Sequence, residues 1–92
     1  MKYGIDKEEI VYPVVHLNGT GKNSLISEYE KAGHAVSMAI KTMQENCPNA
    51  RDYYLIPGSF KEAMEQHTDR ILRLKSVFKE IETILDNIDE QG

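Results

Sequence analysis

Two short stretches carry the residue types that contact ligands. The first is His16-Leu17-Asn18-Gly19-Thr20-Gly21-Lys22. His16, Asn18, Thr20 and Lys22 recur at every second position, so in an extended backbone they project from one side. Each offers a hydrogen bond, and Lys22 adds charge. A Gly-rich turn, a lysine and a helix N-terminus together attract an anion. Lys22 is the only Asp, Glu, Lys or Arg between residues 11 and 27, so nothing local neutralises that field. The competing reading is a capping turn in which Asn18 and Thr20 bond their own backbone. A Walker loop is excluded: His16 stands where it needs a glycine, and Asn23 where it needs Ser or Thr.

The second stretch is Arg51-Asp52-Tyr53-Tyr54. Tyrosine faces stack on a base, and arginine grips a phosphate in bidentate fashion. The structural alternative is a staple, with Arg51 paired to Asp52 or a helix end and the tyrosines filling a core. His67 and Arg70 form a smaller candidate on the second helix. There the alternatives are a core histidine satisfied across an interface and a shared polar site. His34 is expected at the surface. Catalysis has little support. No Ser, His and Asp constellation occurs at recognisable spacing, and three histidines and one cysteine match no zinc pattern. No enzyme, metal or cofactor is expected.

The elements that must position these residues read as all-α. Residues 1–9 are polar and charged, and read as a mobile lead-in. Residues 10–17 (IVYPVVHL) alternate with period 2, but Pro13 cannot donate to a ladder, so an extended segment or edge strand is expected. Residues 1–22 thus form an extended lead-in and turn. The first helix spans 23–47, capped by Asn23, Ser24 or Thr20, with an apolar stripe from Leu25 to Met43. Residues 48–58 connect the helices, and their apolar content predicts that they pack back. The second helix spans 59–90. Ser59 and Glu62 read as a capping box. Phe60, Met64, His67, Ile71, Leu74, Phe78, Ile81, Leu85 and Ile88 follow in alternating steps of four and three, a heptad seam.

The result is one domain, 1–92, folded as an antiparallel helical hairpin. The first helix would be ~36 Å long and the second ~45 Å, so one cannot cover the other. Two helices also make a thin core, which predicts a helical homo-oligomer. Charge is segregated on the second helix. Residues 70–79 hold Arg70, Arg73, Lys75 and Lys79 and no acid. Residues 80–90 hold five acids and no base. An antiparallel copy would bring basic middle against acidic end. The two candidate stretches lie at opposite ends of the first helix, so any joint site is expected to be shared between subunits.

The chain has 92 residues and a net charge of -4, which disfavours DNA or RNA as a partner. One cysteine excludes an internal disulfide. No stretch approaches the ~20 apolar residues of a membrane span, and MKYGIDKEEI is no secretory signal. A cytoplasmic location is expected, with no membrane partner.

His16-Leu17-Asn18-Gly19-Thr20, a helix, then Asn49-Ala50-Arg51-Asp52-Tyr53-Tyr54 and a second helix resemble short phage-encoded proteins of uncharacterised type, over residues 14–85 or so. Lys22-Asn23 and Ala50 depart from that pattern. The expected architecture is also similar to that of small phage anti-defence sponges, the anti-CBASS and anti-Thoeris proteins. That resemblance implies a non-enzymatic oligomer sequestering a nucleotide-derived signal between subunits, in the host cytoplasm. Its ligand-binding residues here would be His16, Asn18, Thr20, Lys22, Arg51, Asp52, Tyr53, Tyr54, His67 and Arg70. The alternative is a protein–protein module, a phage inhibitor or assembly component, offering the heptad seam to a partner.

Overall fold

The computed structural model of the chain describes residues 3–91. It is all-helical, and no strand occurs among the described residues. Helix α1 spans Lys22–Glu45 and helix α2 spans Ser59–Glu90. Single 3-10 turns lie at Lys7–Glu9 and Ala50–Asp52. The two long helices pack against each other and run antiparallel. Lys22 reaches the carbonyls of Asp89 and Gln91, Gly33 faces Phe78 and Ile81, and His67 meets Met43.

The stripes foreseen in both helices make this seam. At Gly33 an added Cβ would stand 3.4 Å from the Ile81 Cγ2 methyl, so the backbone comes close to α2 there. The core is correspondingly thin. Ile88 is fully buried, and His67 is 7% exposed. His67 is satisfied within the chain, not across an interface: its Nε2–H donates to the Met43 carbonyl at 2.7 Å. That carbonyl lies in the last turn of α1, where intrahelical donors run out.

The helix starts differ from expectation. Gly21 precedes α1 with no side-chain cap, so neither Thr20, Asn23 nor Ser24 plays that part. Gly58 precedes α2 with φ +82°, and Ser59 is the first helical residue. No capping box forms. The Ser59 hydroxyl donates backwards, to the carbonyls of Tyr53 (3.0 Å) and Ile56 (2.8 Å). A left-handed Gly58 turns the chain so sharply that Ser59 faces the connection.

Residues 3–9 are not a free lead-in. Residues 3–15 form a strap laid along the back of α2. Tyr3 donates its hydroxyl to Asp69 (2.9 Å), and its carbonyl accepts from Ser76 (2.8 Å). The Ile5 amide donates to Glu80. Farther along, the Gln91 side-chain amide pairs with the extended backbone as a strand would. Val15 N donates to its Oε1 and its Nε2 donates to Pro13 O, both at 2.8 Å. One side chain thus replaces the ladder that residues 10–17 were expected to find. Gly4 is required between Tyr3 and Ile5. Its φ is +76°, and a Cβ would clash with the Ser76 hydroxyl and the Glu80 carboxylate.

Candidate functional site

The ten candidate residues fall into three places. His16, Asn18, Thr20 and Lys22 lie at the end where α2 finishes. Arg51, Asp52, Tyr53 and Tyr54 lie at the other end, beyond the last turn of α1. His67 and Arg70 lie on α2 between them. The rod is 61 Å in its longest dimension, and α1 alone separates the first two places by roughly 36 Å. One chain does not bring them together.

At the first place the turn is tied by His16. Its ring Nδ1 accepts from the Asn18 amide and its carbonyl from the Gly19 amide, both at 3.3 Å. The side chains of Asn18 and Thr20 are exposed, and neither bonds its own backbone. The expected capping turn is therefore built by a different residue, and its two polar side chains stay available. Lys22 is not. Its ammonium donates to Asp89 O at 3.0 Å and Gln91 O at 2.6 Å. It satisfies the C-terminal carbonyls of α2 and sits favourably on that helix's negative end. What remains for an anion here is the uncapped N-terminus of α1, whose first turn holds no acid.

At the second place Asn49 starts the 3-10 turn, its side chain accepting from the Arg51 amide at 3.1 Å. The Arg51 and Asp52 side chains are exposed and make no ion pair. Of the staple reading, the Tyr53 contact is present and the Arg51–Asp52 pair is absent among the described residues. The two tyrosines separate. Tyr53 is half-buried, with its ring 6.1 Å from that of Phe60 and tilted by 45°. Tyr54 is 76% exposed and continues into exposed Leu55 and Ile56. The connection packs back through Tyr53, with Pro48 partly buried at its start. An exposed guanidinium and an exposed tyrosine ring thus stand three positions apart on one connection, residue types suited to a phosphate and a ring.

At the third place His67 is buried and bonded, so it offers nothing to a ligand. Arg70 is exposed, and with Met43, Arg73, Leu74 and Val77 it lines an open groove of about 400 Å³. A second cavity, about 260 Å³, lies under the strap between Tyr3, Ile5, Lys7, Ser76, Lys79 and Glu80. No deep enclosed cleft accompanies either. Among the described residues, no three His, Cys, Asp or Glu side chains cluster as metal ligands do. No described helix is long and apolar enough to cross a membrane.

The Tyr3 phenol departs from its ordinary behaviour. The hydrogen bond to Asp69 holds the Tyr3 phenol above its usual range, with burial and the same carboxylate's charge adding to it and Arg73 opposing. Arg73 pairs with Asp69 at 2.9 Å, so the carboxylate is shared by a base and the strap.

Sequence reasoning missed Gly4, Ser76 and Gln91 as strap anchors. The only forewarning was a glycine set between Tyr3 and Ile5 in an otherwise polar stretch. The chain matches no family model, no curated protein and no solved structure.

Proposed function

We propose that the protein is a non-enzymatic, oligomeric binding protein that captures a phosphate-bearing nucleotide signal between subunits, as phage anti-defence sponges do. One observation carries this reading. Arg51 and Tyr54 are presented to solvent with no side-chain partner among the described residues, and the complementary exposed pair, Asn18 and Thr20, lies at the far end. Arg51 would grip phosphate, Tyr54 would stack on the base, and Asn18 and Thr20 would bond ribose or base edges. The open N-terminus of α1 would favour the same anion. Lys22 and His67 leave the ligand set and become structural.

Calorimetric titration with cyclic dinucleotides, cyclic trinucleotides and ADP-ribose variants tests it. Binding of one class by the natural chain, lost in Arg51→Ala at unchanged stability, is the expected result. No heat with any of them would end the proposal.

The rival reading, a protein–protein module using the heptad seam of α2, is now constrained. From His67 to Ile88 that seam is filled by α1. A partner protein would then dock beside the seam, and the exposed Tyr54-Leu55-Ile56 tip is one such surface.

A further inference from the structure

The chain exposes more surface than its mass warrants. Its accessible area is 7057 Å², against roughly 5,400 Å² for a compact chain of 10.5 kDa. The excess is about 1,600 Å². The radius of gyration is 18.0 Å, where about 12 Å is usual for this length. A second copy is the simplest cover for such a surface, and one face of the hairpin fits it.

Helical periodicity separates the two flanks of the hairpin. At about 100° per residue, Val36, Ala39 and Met43 lie to one side of the α1 seam. Leu74, Val77 and Ile84 lie to the same side of α2, because antiparallel helices share their flanks. The groove joining Met43 to Leu74 and Val77 confirms the sharing. Five of the six are partly exposed, none is fully buried, and Val77 is 45% exposed. The opposite flank carries Glu30, Asp86 and Asp89 around Ile26 and Leu85. One flank therefore joins apolar residues to the two arginines Arg70 and Arg73, and the other is acidic.

We propose that the flank of Val36, Ala39, Met43, Leu74, Val77 and Ile84 is the interface with a second copy set antiparallel, giving a four-helix bundle. A face one α1 long and two helices wide covers roughly 700 Å² per chain, close to the ~800 Å² per partner of a stable interface. Charge selects the orientation. A two-fold axis at the middle of α1 keeps the flank's Arg70 and Arg73 clear of their own copies, roughly 22 and 13 Å apart along the bundle. A parallel pair would set the basic stretch 70–79 beside itself and the acidic stretch 80–90 beside itself. The same axis places residue 22 level with residue 45 of the other copy. The turn 16–21 of one chain then lies beside the connection 46–58 of the other, and Asn18 and Thr20 approach Arg51 and Tyr54. The inference supplies the arrangement on which the binding reading rests, yet it needs no nucleotide.

Sedimentation velocity on the full chain, without nucleotide, tests the interface. A dimer is expected for the natural chain and for Glu30→Lys on the charged flank. Val77→Glu and Val36→Glu are expected to weaken dimerisation at least ~30-fold while keeping their helical circular dichroism. A natural chain that is monomeric at all concentrations, or a Val77→Glu dimer as tight as the natural one, overturns the proposal. Cys47, exposed and the only cysteine, reports orientation through a spin label. An antiparallel pair sets the two Cys47 positions roughly 40 Å apart. Labels within about half that distance would mean a parallel pair and sink it. A dimer that binds no nucleotide leaves the interface standing and removes the sponge reading alone.

Discussion

Where α2 ends, Lys22 donates to its last carbonyls, Gln91 pairs with the strap, and Ile88 is sealed beneath. Where α2 begins, Arg51, Tyr54, Leu55 and Ile56 face solvent. Both ends hold polar, cationic and apolar residues in similar proportion. The difference is geometric. The strap and α1 enclose the C-terminal half of α2 from two sides. α1 stops at Glu45, level with the second turn of α2, and leaves the other end to a short connection. The same residue types become structure at one end and surface at the other.

That contrast can be broken most forcefully at the closed end. Ile88→Ala is expected to cost ~2–5 kcal/mol in urea unfolding, since nothing can collapse into the space. An effect no larger than that of a surface change would mean the end is not closed. Gly4→Ala should follow at about 1–3 kcal/mol, from left-handed strain and the clash with Ser76 and Glu80. Hydrogen exchange resolves it, with faster exchange at Ile5 and Val15 and little change at the centre of α1.

Lys22→Met sharpens the assignment of that lysine. A stability loss of about 1–2 kcal/mol, with nucleotide binding retained, is expected of a residue that caps α2. Full stability with binding abolished would return Lys22 to the ligand set. Tyr3 gives the pH signature of the strap. Its folded pKa is raised, so its contribution is fully present below the ordinary tyrosine range and is lost as pH rises through the folded value. The strap should loosen in the alkaline limb above about pH 10, and Tyr3→Phe should remove that dependence. The smallest effect belongs to the open end. Ile56→Ser should change stability by no more than ~0.5 kcal/mol. A larger loss would show the tip to be covered in solution.

Much of the fold was legible in the sequence. The seam of α2 and the bounds 59–90 follow from a strict heptad, because periodic burial is a local property of the chain. The start of α1 lies within one residue of expectation. The capping box at Ser59 does not form, because Ser-x-x-Glu describes a possibility that the φ of Gly58 removes. The period-2 stretch at 10–17 is extended as expected, but its partner is a glutamine side chain 76 residues from Val15. No local pattern encodes such a pairing.

The candidate site divides in the same way. Residue types alone determined that Arg51, Tyr54, Asn18 and Thr20 were able to meet an anion and a ring. They also determined that the helices would be amphipathic and the charges of α2 segregated. Only the tertiary structure decided which polar groups were already committed. Lys22 is taken by α2 because antiparallel packing brings its ammonium to carbonyls nearly 70 positions away. His67 is taken by Met43 because α1 ends there with an unsatisfied carbonyl. Arg51 is left open because no second element reaches the end at which it stands. Composition and period are short-range properties that a sequence displays directly. Which polar group finds which partner depends on how the helix ends meet, and that is fixed only when the chain closes on itself.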